Sequence, residues 1–126
     1  MDGGRQVGLY WGAVSLLMLA LAPFAPALAS SMPPCFFHEL TGRPCVTCGG
    51  TRAAVALARL DPMTALRANP LVAIGLVALV GGGLLAGLFA LLGRGVHEPR
   101  RYPGWVRLAC VLALAANWAW LIVDGR

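Results

Sequence analysis

Apolar residues run almost unbroken through three stretches of the chain, Val7 to about Ala29, Leu71 to Gly93 and Trp105 to Val123, and the polar residues gather between them. Each stretch is close to the ~20 residues that a helix needs to cross roughly 30 Å of hydrocarbon. Runs of this length without an opposing polar face belong in lipid rather than on the surface of a soluble core. The pattern predicts an all-α integral membrane protein, one membrane domain over residues 1–126, with about three transmembrane helices at 7–29, 71–93 and 105–123. What remains is too short to bury an independent soluble core.

Between the first and second spans the periodicity changes. Thr51 to Leu60 sets Arg52 and Arg59 seven apart, on nearly one helical face, against Ala53, Ala54, Leu57 and Leu60 on the other. This predicts a short amphipathic helix in the plane of the interface. Asp61-Pro62 then reads as a stop and a start: Asp61 caps, and Pro62 takes the first helical position, where its missing N–H costs nothing. A second short helix follows over about Met63 to Ala68, and Asn69-Pro70 repeats the device at the entry to the second span. In the first span, Pro23 and Pro26 predict a bend or an end.

Composition reinforces the membrane reading: 59% of residues are hydrophobic and 12% charged, where soluble domains carry about a quarter charged. The net charge of +5 comes from arginines that flank the apolar segments, where their stems snorkel along the hydrocarbon edge. They form no basic run with interleaved aromatics, so nucleic acid is not a partner on this reading. The lipid bilayer is. Arg5, the apolar core and Ala27-Leu28-Ala29 before Ser30 also resemble a secretory signal, but the apolar stretch is longer than a signal core, which favours a retained first helix. Counting arginines on either side gives Arg5, Arg94, Arg100, Arg101 and Arg107 against Arg43, Arg52, Arg59, Arg67 and Arg126. The tie is broken by the short loop from Arg94 to Arg107, which puts the amino terminus inside and the residues after the first span outside.

The second span carries a Gly83-x3-Gly87 pair that lets another helix backbone approach. Packing against the first or third helix is favoured over a dimer contact. In the third span, Asn117 is expected to hydrogen-bond a neighbouring helix, and Cys110 to be a small buried hydrophobe.

The chemistry concentrates in Cys35 to Arg52, which reads CFFHELTGRPCVTCGGTR. Cys35, His38, Cys45 and Cys48 follow the spacing C-x2-H-x6-C-x2-C, a three-thiolate, one-imidazole set of the kind that binds Zn2+ in a tetrahedron. Thr41-Gly42-Arg43-Pro44 is a turn-forming run able to bring the two pairs together. A second reading is thiol redox chemistry at Cys45 and Cys48, because a thiol ahead of a helix has its pKa lowered by the unsatisfied N–H groups. No thioredoxin-like pattern surrounds this C-x-x-C. A third is a disulfide or a packed thiol cluster that pins the loop, as an oxidising compartment permits. Arg52, at the start of a helix where the dipole disfavours a cation, is expected to meet an anion or a carboxylate such as Glu39, and Arg59 shares its face.

Cys35, His38, Leu40-Thr41-Gly42, Pro44-Cys45, Cys48-Gly49, Thr51-Arg52-Ala53 and Asn69-Pro70-Leu71 together resemble the signature of the bacterial family labelled domain of unknown function 2752. The resemblance covers about Cys35 to Gly93. It implies a small multi-pass protein of the bacterial inner membrane and no established activity. Phe36 and Val46 stand where the family pattern has proline.

These readings favour an accessory or partner-binding membrane component over an enzyme. Its Cys/His loop and interfacial helices span residues 35–69, with Zn2+ as the candidate cofactor and a membrane protein or a second copy as the candidate partner. The alternative is a membrane thiol-disulfide oxidoreductase using Cys45 and Cys48.

Overall fold

The computed structural model describes residues 3–45, 49–97 and 101–124. Its helices run in the order α1 (Gly3–Leu21), a 3-10 turn (Ala22–Phe24), α2 (Ala25–Ser30), α3 (Phe36–Thr41), α4 (Gly50–Ala58), α5 (Pro62–Ala68), α6 (Pro70–Leu91) and α7 (Gly104–Val123). There is no strand among the described residues. Among the described residues, three helical stretches are long and apolar enough to cross a membrane: Gly3–Ser30, Pro70–Leu91 and Gly104–Val123. At 1.5 Å per residue, the 22 residues of α6 and the 20 of α7 extend about 33 Å and about 30 Å, the thickness of the hydrocarbon layer. Within the most apolar windows of these stretches only 11%, 17% and 11% is buried inside the protein. Leu16, Ile74 and Val111 are among the large apolar side chains turned outward, which is stable where the surrounding solvent is itself apolar.

The chain divides into two compact units, and one of the boundaries falls inside α6 between Ile74 and Gly75. The first unit holds α1 and the greater part of α6. A methyl built on Gly12 would lie 2.8 Å from the Cα of Gly87, and one on Gly87 would lie 3.0 Å from the Cα of Gly12. Gly8 lies equally tight against the Ala86 carbonyl, and Gly83 against Trp11 and Ser15. The Gly83-x3-Gly87 pair therefore meets Gly8-x3-Gly12 within the same chain, backbone against backbone. That close approach allows polar groups of α1 to reach carbonyls of α6. Trp11 Nε1 donates to the Leu79 carbonyl at 2.9 Å and Ser15 Oγ to the same oxygen at 3.4 Å. Arg5 Nε donates to the Ala90 carbonyl at 3.0 Å, a cation at a helix C-terminus where the dipole favours it.

The second unit holds α2 to α5, the first turn of α6 and α7. Its core is made of alanine: Ala53 and Ala56 of α4, Ala65 and Ala68 of α5 and Ala73 of α6, with Leu57 and Val72 against them. Side chains this small let two short helices lie close. The fold differs from the sequence expectation at three places. Phe36–Thr41, where no element was expected, is a helix, and the turn expected over Thr41-Gly42-Arg43-Pro44 follows from its Gly42 cap. Leu60, expected on the apolar face of the preceding helix, lies beyond its end at φ 59° and is 89% exposed. Cys110 is exposed on α7 rather than buried.

Candidate functional site

Cys35 ends the rigid Met32-Pro33-Pro34 run in extended conformation and opens α3, its carbonyl accepting from Glu39 N at 3.0 Å. Gly42, at φ 68°, closes α3 by donating its N–H to the His38 carbonyl at 2.8 Å. The chain then reverses through Arg43 and Pro44. One helical turn and a half out and a short return bring Cys45 Sγ to 3.3 Å from Cys35 Sγ. This separation is van der Waals contact between sulfurs. It is longer than the ~2.05 Å of a disulfide and shorter than the roughly 3.8 Å that two thiolates subtend on one tetrahedral zinc with ~2.3 Å bonds.

The return strand is held from α7. Trp118 Nε1 donates to the carbonyl of Pro44 at 2.9 Å, and Pro44 is buried. In sequence Trp118 is one more aromatic near the end of an apolar stretch, with nothing to mark it as an anchor. A partner 74 residues away leaves no local signal.

His38 is exposed and faces the same groove as the two thiols. Among the described residues, no three His, Cys, Asp or Glu side chains are grouped as metal ligands. Cys48, the fourth member of the expected set and the second of the expected redox pair, lies outside the described residues. Gly49, next along the chain, has φ 81°, and a methyl there would stand 2.6 Å from the Ala68 carbonyl. Glycine is thus required twice over at the start of α4, by the left-handed backbone and by the space.

The groove has a volume of about 1110 Å³, open on one side. Cys35, His38, Cys45, Arg52, Arg59 and Asp61 are among the residues that line it. Arg52 and Arg59 are both exposed, and neither pairs with a carboxylate among the described residues. The expected Arg52–Glu39 pair is not formed. Asp61 Oδ1 accepts from Thr64 N at 3.1 Å and Oδ2 from Thr64 Oγ1 at 2.6 Å. These bonds, the side-chain one foremost, hold its carboxyl below the usual aspartate value.

Asn69 is fully buried, and its Oδ1 accepts from Val72 N at 3.1 Å. Leu71 N donates instead to Asn117 Oδ1 of α7, also at 3.1 Å. Pro70 has no N–H, and Ala73 N makes the first helical bond, to the Asn69 carbonyl at 3.0 Å. Every N–H of the first turn of α6 is therefore accounted for, as a helix entering a membrane requires.

Taken together, three apolar helices and a short-helix platform define a multi-pass, all-helical membrane-type protein. Residues 35–82 match the family described as "Protein of unknown function (DUF2752)". The matched stretch takes in the thiol loop, the groove and the capped start of α6. No curated protein and no solved structure matches the chain.

Proposed function

We propose that this chain is a non-enzymatic, multi-pass component of a bacterial inner membrane that presents an ordered loop to a membrane partner or a second copy of itself, and that Cys35 and Cys45 close that loop. The observation that carries this reading is the contact of the two sulfurs at 3.3 Å. The loop they close is already clamped at Pro44 by Trp118, so the sulfurs meet with little further ordering cost. In an oxidising compartment the pair becomes a disulfide. Two thiols lose two protons and two electrons to the disulfide of an exchange partner, which leaves as its dithiol. The exposed Phe36, Phe37 and Leu40 of α3 support a loop lying against the apolar edge of the membrane or of a partner.

Folded yield and metal content of Cys35→Ser, Cys45→Ser and Cys110→Ser variants test this. The staple reading expects the first two to lose yield together, the third to behave as wild type, and no stoichiometric metal in any. Stoichiometric zinc in the wild type, lost in Cys35→Ser and His38→Gln, would assign Cys35, His38, Cys45 and Cys48 to a metal centre instead. Undiminished yield with mixed disulfides trapped on a Cys48→Ser variant would favour the thiol-disulfide oxidoreductase.

A further inference from the structure

The groove beside the thiol pair holds more positive charge than the fold uses. Arg52 in the first turn of α4 and Arg59 at its C-terminal cap stand about two turns apart, about 10.5 Å along the axis. Both line the groove, and both are without a carboxylate partner among the described residues. Asp61 is the one acid among the described lining residues, and both of its oxygens are taken by Thr64. It caps α5 and is turned to its own helix rather than toward the guanidinium groups. His38 adds an imidazole to the lining of the same groove. Two guanidinium groups without a carboxylate partner among the described residues and an imidazole, around an open and mostly apolar groove, make a receptor for a planar or tetrahedral oxyanion.

From this arrangement we infer that the groove binds a phosphate-bearing anion through Arg52 and Arg59. Met32 and Val55 on its walls give an apolar flank to an attached chain. The same phosphate chemistry is offered by the headgroup of an anionic phospholipid and by a free phosphate compound. The anion contacts are assigned to Arg52 and Arg59 and to neither thiol, so the two proposals fail separately.

The test uses the purified full-length chain in phosphatidylcholine nanodiscs. One arm exchanges part of the lipid for phosphatidylglycerol and measures retained lipid by native mass spectrometry. The other titrates inorganic phosphate and glycerol 3-phosphate by calorimetry. Retention of phosphatidylglycerol by the wild type, weakened about tenfold in an Arg52→Ala/Arg59→Ala variant, establishes a headgroup site. The same loss confined to the titration establishes a soluble phosphate site. Arg67→Ala, which removes a charge outside the groove, is expected to change neither. Because neither groove arginine has a carboxylate partner among the described residues, the double variant is expected to keep the wild-type melting temperature. Equal affinities in wild type and double variant, or an equal loss in Arg67→Ala, would overturn the inference.

Discussion

Asn117 Oδ1 on α7 accepts the backbone N–H of Leu71, the second residue of α6, at 3.1 Å. One residue further along α7, Trp118 donates to the Pro44 carbonyl. Adjacent side chains of one apolar helix thus hold both the start of α6 and the strand that leads to Cys45. Leu71 is an orphan donor of a helix terminus, and in a membrane it has no water to turn to. Asn117→Ala is expected to lower stability in detergent by about 1 kcal/mol, and Asn69→Ala by about the same through loss of the cap to Val72. Both follow from denaturation curves. A leucine at position 117 that left stability unchanged would show that Leu71 finds another acceptor.

The packing of α1 on α6 depends on the absence of side chains at four positions. Gly12→Ala or Gly87→Ala pushes a methyl into the opposing Cα and is expected to cost about 1–3 kcal/mol. Gly81 sits mid-helix in α6 with open space around a built methyl. Gly81→Ala is therefore expected to stabilise by about 1 kcal/mol. The opposite signs, read by thermal denaturation, separate close approach from helix propensity.

Leu60, just past the end of α4, lies in the left-handed region. Its N–H donates to the Leu57 carbonyl and that of Asp61 to the Ala56 carbonyl, both at 2.9 Å. This is the geometry that glycine usually supplies, and a leucine there carries about 1 kcal/mol of strain. Leu60→Gly is expected to raise the melting temperature of the detergent-solubilised protein. A fall would mean that the exposed leucine contributes more by its apolar contacts outside the chain than it costs in strain.

Asp61 titrates below the usual aspartate value because Thr64 binds its ionised form. Its folded-state pKa is depressed, so its contribution to stability is full above the unfolded-state pKa and is lost as pH falls through the folded value. Asp61→Asn, which keeps an acceptor for Thr64 N, should remove this part of the acid sensitivity while retaining much of the cap. Melting temperatures of the two proteins should converge as pH drops below the normal aspartate range.

Much of the architecture was open to local reading. Apolar runs mark the three long helices because lipid imposes a length and forbids charge, and Asp61-Pro62 and Asn69-Pro70 carry their message within four residues. Pro23 and Pro26 coincide with the 3-10 turn at Ala22–Phe24 and the restart at Ala25. The thiol loop was less legible. Cys35, His38, Cys45 and Cys48 offered several pairings of similar spacing, and nothing local distinguishes Cys35 with Cys45 from Cys45 with Cys48. The contacts that hold the return strand and the α6 entry come from α7, 74 and 46 residues away. Leu60 escaped because its apolar character fits the helix face while its backbone follows the capping bonds.

The pairing of Cys35 with Cys45 is most directly tested by peptide mapping under non-reducing conditions, on full-length protein whose unreacted thiols are alkylated in intact membranes before extraction. The account predicts a cross-linked peptide joining Cys35 to Cys45, with Cys110 alkylated. A cross-link joining Cys45 to Cys48, or full alkylation of both Cys35 and Cys45, would contradict it.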